Sequence, residues 1–419
     1  MQQVVVGRES VDRHLLPAEV RDVAGEALRA LPIEGKRVLV IIPDGTRTMP
    51  MPLMCDVFEG ALGSRAASLD YLVALGTHRP MTDGELATLV GRPVRDGRAG
   101  PGRIFNHRWD LPATFTTLGV IPAGEVATLT AGLLGQEVPV ALNRLVLGYD
   151  QLVICGPVFP HEVVGFSGGN KYLFPGIGGP DIINLTHWLG ALITNHEVIG
   201  TTDTPVRALI DRAAGMLDRP VACVALVVTH AGIHGLFAGA PRDAWRAAAE
   251  LSARTHIVRV DRPFSRVLSV MPRMYEDLWT AAKGVYKVEP VVADGGEVVI
   301  YAPHVTEVSH SHGAIIEEIG YHCRDYFVAQ WDRFGTLPGG VLAHSTHVAG
   351  LGTYDAATGV ERPRIRVTLA TGIPRERCAR LNLGYLDPAS VRIEDWKARR
   401  DAGVLVVDPA GEMLYRLRA

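Results

Sequence analysis

Three short loops and one glycine-rich segment hold most of the residue types from which a reactive site is built. Asp44-Gly45-Thr46-Arg47 joins a turn-permitting glycine to a guanidinium whose planar fork matches a carboxylate or phosphate. Gly76-Thr77-His78-Arg79-Pro80 and Gly156-Pro157-Val158-Phe159-Pro160-His161 each end an apolar run with an imidazole. Two imidazoles at one cleft supply a paired acid and base near neutral pH. Taken singly, each motif also has an ordinary reading: a turn with a surface ion pair for the first, a structural loop histidine for the others. Their shared position, directly after strands, favours chemistry.

The longest motif runs from His161 to Gly179. Gly168, Gly169, Gly178 and Gly179 permit close backbone approach to a ligand, and Ser167 with nearby backbone N–H groups suits phosphate oxygens. The spacing is neither that of a Walker A loop nor that of a dinucleotide fingerprint. Lys171, set between apolar neighbours, is placed to be a nucleophile or an attachment point, or else to pack its stem and send its ammonium to water. The pattern then turns helical, and His187 within it is either a metal ligand or a core residue.

The elements that must position these residues alternate short apolar runs with amphipathic stretches, the pattern of βαβ units in a mainly parallel sheet. Strands are expected at Arg37–Pro43, Ser68–Leu75, Leu152–Cys155 and Val221–Val228. Helices are expected at Met51–Leu62, Thr82–Val90 and Thr204–Leu217, the last with threonine as cap and proline first. Composition shifts after Arg254, so a boundary is placed near Val260: residues 1–259 form an α/β domain and 260–399 a second one. In the second, Arg266–Met271, Glu297–Tyr301 and Arg366–Leu369 read as strands, and Tyr275–Gly284, Ala314–Gln330 and Gly339–Gly350 as partly helical. Gly403–Asp408 and Glu412–Leu417 read as a hairpin, and residues 400–419 are left free to return to the first domain.

Size and composition agree with this division. A chain of 419 residues, 47% hydrophobic, exceeds what one core accommodates. With 42 basic and 45 acidic side chains the net charge is -3, which excludes a long nucleic-acid track. Cys55, Cys155, Cys223, Cys323 and Cys378 stand singly, matching neither a disulfide framework nor a thiolate metal site. The first twenty residues lack an export signal, and the longest apolar runs are strand-sized, so a cytoplasmic enzyme or binding protein without a membrane span is expected.

The combined motifs resemble the nickel-dependent lactate racemase family. DGTR at Asp44–Arg47 is similar to that family's Asp-x-Thr-Arg, GTHRP at Gly76–Pro80 to its Gly-x-His-Arg-Pro, and His161…GFSGG…Lys171 followed by Pro-Gly to its longest motif. The resemblance implies two α/β domains with the active site in the cleft between them. It also implies racemisation or epimerisation of a 2-hydroxy acid with a nickel-pincer nucleotide, the nickel pyridinium-3-thioamide-5-thiocarboxylic acid mononucleotide made by dedicated biosynthetic enzymes. By the same resemblance Lys171 carries the cofactor through a thioamide, His187 coordinates nickel, and Asp44, Thr46, Ser167, Gly168 and Gly169 bind the cofactor. His78 and His161 become the acid and base, while Arg47 and Lys283, the latter in a Lys-Gly pair, hold the substrate.

The chain departs from the lactate-specific pattern at Thr280, where that pattern has glutamine, and near Pro338–Leu342, where its tryptophan has no counterpart. The expected substrate is therefore a larger or more polar acid than lactate. Glu307, His310, His312, His344 and His347 are candidates to read it, with Ser309–His312 reading equally as an exposed loop. Two other readings stay open: a protein that binds or matures the nucleotide without turnover, and a lyase or redox enzyme on a 2-hydroxy acid.

Overall fold

The computed structural model describes residues 5–418. These form two compact units. Of the described residues, the first comprises 5–159, 166–183 and 202–255, and the second 160–165, 184–201 and 256–418. The chain thus changes unit several times before the single boundary expected near Val260.

In the first unit a nine-stranded sheet runs in the order Val6–Glu9, Gly232–Gly239, Val221–Thr229, Gln151–Pro157, Arg37–Ile42, Ser68–Val73, Gly102–Asn106, Arg98–Ala99, Val94–Arg95. The five central strands are parallel, and antiparallel pairs finish both edges. The central runs are apolar without alternation because both sheet faces are covered. Val40, Ile42, Val153, Val224 and Leu226 meet Val20, Leu28, Met54 and Phe58 of the helices Pro17–Arg29 and Met51–Leu62 in one buried core. The helix Asp83–Val90 opens on a Thr82–Glu85 capping box. Pro205–Ala214 opens on Thr204, whose side chain accepts from the Arg207 N–H, with proline at the first turn as expected.

From Arg37–Ile42 the chain moves one way through Ser68–Val73 to Gly102–Asn106, whereas Gln151–Pro157 and Val221–Thr229 lie on the other side of Arg37–Ile42. The strand order therefore reverses between Arg37–Ile42 and Gln151–Pro157. Outside the carboxyl ends of these strands is where an open α/β sheet places a ligand.

The second unit holds a five-stranded sheet, Gly384–Tyr385, Arg366–Thr371, Val292–Ala302, Phe264–Val270, Val404–Val407, parallel throughout. The expected terminal hairpin does not form. Val404–Val407 pairs with Phe264–Val270, and Leu414–Leu417 pairs in parallel with Ile257–Val260, both within the second unit. A run such as Val-Leu-Val-Val lacks the alternation of a half-exposed hairpin strand and suits a sheet covered on both faces. The stretch Ala314–Gln330 is likewise two helices, Gly313–Ile319 and Arg324–Ala329, separated at Gly320, whose φ of +71° ends the first. No helix of the described residues is long and apolar enough to cross a membrane.

Candidate active site

The loop after Arg37–Ile42 buries the Asp44 carboxylate. Its Oδ1 accepts from the Thr46 N–H at 3.0 Å and the Thr46 hydroxyl at 2.6 Å, closing the turn on itself. Its Oδ2 lies 2.5 Å from Nδ1 of His78, delivered by the loop after the neighbouring strand Ser68–Val73. Burial by itself raises the Asp44 carboxyl, but the adjacent His78 charge and hydrogen bond, Arg47 and Thr46 outweigh it and hold the group well below the usual carboxylate range. The His78 loop is fixed from its other side, where Trp109 Nε1 donates to the His78 carbonyl at 2.7 Å. Arg47 donates to the Thr46 hydroxyl oxygen at 2.6 Å and stands 5.8 Å from the Phe159 ring centroid.

The glycine-rich segment closes this side of the sheet. Ser167 is tied to the end of Gln151–Pro157: its hydroxyl donates to the Pro157 carbonyl at 2.8 Å and accepts from the Phe159 N–H at 3.0 Å. Gly168 and Gly169 have φ of +83° and +58°, and a Cβ on either would lie 2.6 Å from Val158 Cγ2 or 2.8 Å from Trp245 Cβ. The chain then makes the short 3₁₀ turn Gly169–Tyr172 that carries Lys171. Asp44, Arg47, Ser167, Gly168, Lys171 and Tyr172 line one cleft. Five of these six were expected as site residues from sequence. Tyr172 was not, and it fits because Gly156 has no side chain: a Cβ there would lie 1.8 Å from the Tyr172 hydroxyl.

The second unit carries His161, His187 and Lys283. His161 is buried, and its Nδ1 lies 3.2 Å from the Val163 N and 3.3 Å from a Glu162 carboxylate oxygen. His187 lies half-buried on the helix Pro180–Ile193, where the Asn184 side-chain oxygen accepts from Gly340 N–H at 3.0 Å. Lys283 is buried; its Nζ donates to the Thr280 carbonyl at 3.2 Å and stands 4.8 Å from the Tyr275 ring centroid. Asp277 organises this region. Its Oδ1 caps the Leu278–Ala281 turn through the Thr280 N–H at 3.0 Å and hydroxyl at 2.8 Å, and its Oδ2 takes the His310 N–H at 3.1 Å.

The four further histidines separate. The Trp279 ring stacks on His344 at 4.2 Å and lies 4.6 Å from His312. Tyr321 reaches His344 Nε2 at 3.4 Å, and His310 is exposed. Burial first, then the neighbouring His347, His312, Lys283 and His187, push His344 well below the usual imidazole range. Burial brings His347 down to about 4 against the opposing pull of Glu162. Asp277, Trp279 and Tyr321 escaped the sequence reading. The Asp277-to-Thr280 spacing of a helix cap was the one signal available for them.

Nδ1 of His78 faces a carboxylate, so in the neutral imidazole it carries the proton and Nε2 keeps the lone pair. Nδ1 of His161 meets both the Val163 N–H at 3.2 Å and the Glu162 carboxylate at 3.3 Å. Among the described residues no group of three or more His, Cys, Asp or Glu side chains is arranged to hold a metal ion.

A doubly covered parallel sheet with ionisable loops at its point of strand reversal is the arrangement in which open α/β folds place their ligands. Residues 8–200 match the lactate racemase N-terminal domain. The lactate racemase of Thermoanaerobacterium thermosaccharolyticum is 25% identical over 288 residues, 67% of this chain and 62% of that protein. That of Lactiplantibacillus plantarum is 30% identical over 156 residues, 36% of this chain and 33% of that protein. The chain thus spans less than two thirds of the length of either curated relative. Among solved structures, a protein from Thermotoga maritima has a TM-score of 0.90 at 32% identity, covering 98% of this chain and 100% of that one. The lactate racemase apoprotein from T. thermosaccharolyticum has a TM-score of 0.70 at 20% identity, over 95% and 93% of the two chains, a likeness of fold. Over residues 8–200 the chain thus belongs with the lactate racemase N-terminal domain, and both curated relatives are lactate racemases.

Proposed function

We propose that this chain is a cytoplasmic racemase or epimerase of a 2-hydroxy acid other than lactate, served by a nickel-pincer nucleotide that dedicated biosynthetic enzymes supply and Lys171 tethers. The observation that carries the reading is the cleft where Lys171, Ser167, Gly168, Asp44 and Arg47 converge at the strand reversal. The group fits these residues: two glycines whose positive φ and missing Cβ permit close approach, a hydroxyl, a guanidinium and a lysine together suit a tethered mononucleotide. When bound, such a cofactor supplies a reversible acceptor for the hydride on the substrate's secondary carbon.

The protein's own part is binding and proton handling. Asp44 fixes the Nδ1 proton of His78, so Nε2 of His78 takes the hydroxyl proton of one enantiomer. His161, paired with the Glu162 carboxylate, supplies a proton and serves the other enantiomer in the reverse sense. Arg47 and Lys283 hold the carboxylate, and His187 gives one imidazole ligand to nickel while Thr46 and Gly169 complete the cofactor's cradle. Lys283 bonds the Thr280 carbonyl and its charge reaches His344, while Trp279 packs against His344 and His312; these imidazoles support a more polar acid than lactate.

The test is intact-protein mass after coexpression with the cofactor-making enzymes, followed by chiral chromatography of a panel of 2-hydroxy acids. A Lys171 adduct with inversion of at least one acid, and retention of deuterium from a 2-deuterated substrate in H2O, is the expected result. An adduct with no inversion of any acid would establish a binding or maturation role instead, and free washout of the deuterium would point to deprotonation at carbon.

A further inference from the structure

Beneath the glycine-rich segment lies a buried cation that the reaction does not call for. Arg207, on the helix Pro205–Ala214, is 4% exposed. Its guanidinium donates to two carbonyls of the segment, that of Phe166 by a short bond and that of Gly168 at 3.3 Å, and its Nε has no hydrogen-bond partner. Its plane lies 4.1 Å from the Trp245 ring centroid, and Trp245 Nε1 donates to the intervening Ser167 carbonyl at 2.8 Å. Three successive carbonyls, of Phe166, Ser167 and Gly168, therefore end on one Arg–Trp pair. In a trans peptide the N–H points opposite the carbonyl, so anchoring the Ser167 carbonyl on Trp245 turns the Gly168 N–H away from Trp245.

Burying a guanidinium without a carboxylate in contact is costly. Burial brings Arg207 down to about 10, and the charge of Asp211 only partly restores it. Plain packing at this position is better served by an apolar side chain, so the cation needs a reason. The segment it grips is the one that contributes Ser167, Gly168 and Lys171 to the cleft.

We infer that Arg207 and Trp245 are positioning residues: they hold the Phe166–Gly168 carbonyls back so that the segment presents the Gly168 N–H and Lys171 to an anionic, phosphate-bearing ligand. The inference rests on the function proposed above. The Arg207 charge also adds positive potential beneath the cradle, which favours a phosphate over a neutral ligand.

The test compares wild type with R207M, R207K and W245F, using nicotinic acid mononucleotide binding by calorimetry and the rate of Lys171 modification by trinitrobenzenesulfonate, read by mass spectrometry. W245F keeps the ring under the guanidinium and removes only the N–H to Ser167; R207K keeps the charge but reaches one carbonyl. Outer residues that orient a ligand set are typically worth about ten- to a hundredfold. R207M is expected to weaken mononucleotide binding by about that factor, with R207K and W245F between it and wild type. Lys171 labelling should change in the same order, with native circular dichroism. Folded variants that bind and label like wild type overturn the inference, and if R207M does not fold, R207K and W245F decide it. A wild-type protein that fails to bind the mononucleotide refutes the proposed function instead, and the Lys171 labelling series still decides the positioning role.

Discussion

Replacing Asp44 by asparagine tests the acid–base assignment through a single atom. In the native turn Oδ1 accepts two bonds from Thr46. The Thr46 N–H can only donate, so the amide oxygen of Asp44→Asn must stay on that side and the NH2 must face His78 Nδ1. Nδ1 then becomes an acceptor, the imidazole proton moves to Nε2, and the lone pair that takes the substrate proton is lost. A positioned general base is worth about 10² to 10⁴ in rate, so kcat/KM should fall by that factor, about 3 to 5 kcal/mol of transition-state stabilisation. The assay is inversion measured by chiral chromatography on protein normalised for the Lys171 adduct, with the His78 ring nitrogens read by ¹⁵N NMR. Unchanged turnover, or a His78 proton still on Nδ1 in the variant, would refute the reasoning.

Lys171→Ala should lose both the mass adduct and nickel, whereas His187→Ala should keep the adduct and lose most of the nickel, as measured by intact mass and elemental analysis. Lys283→Ala should raise KM with the adduct retained, because the buried ammonium is assigned to substrate and not to cofactor. Gly169→Ala forces a Cβ to 2.8 Å from Trp245 Cβ at a φ of +58°. It should cost about 1 to 3 kcal/mol in urea unfolding, and an unaltered midpoint would show that the loop yields without strain. His107, fully buried, is pushed down to about 4 by burial. Its folded pKa lies below the unfolded one, so the unfolded chain takes up the proton first and stability falls as pH drops from about 6.5 towards 4. The part due to His107 should reach about 2 kcal/mol at pH 5, and a His107→Gln variant whose pH slope matches wild type would contradict it.

The elements legible in the sequence were those whose own residues decide them. Arg37–Ile42 is an uninterrupted apolar run and Met51–Leu62 a helix placed to the residue, while Thr82 and Thr204 announced their helices as caps. What escaped depends on partners far along the chain. Val6–Glu9 is a strand only because Gly235–Ala238 pairs with it, and Val404–Val407 reads in sequence as half of a hairpin because its true partner lies more than a hundred residues earlier. The loops carrying Asp44, His78 and Lys171 could be read because βαβ order sends successive strand ends to one side. The supports of those loops could not: Trp109 under His78 and Tyr172 beside Gly156 reveal themselves only through contact.

Asp277 joins two stretches that are distant in sequence, the turn that presents Thr280 and Lys283 and the loop that begins at His310. On the function proposed above, this half of the molecule is inherited as a block. A directed-evolution library that varies Trp279, His312 and His344 but spares this one carboxylate would then sample new acids on an intact frame. A library that touches it would scramble the frame before any new preference had been tried.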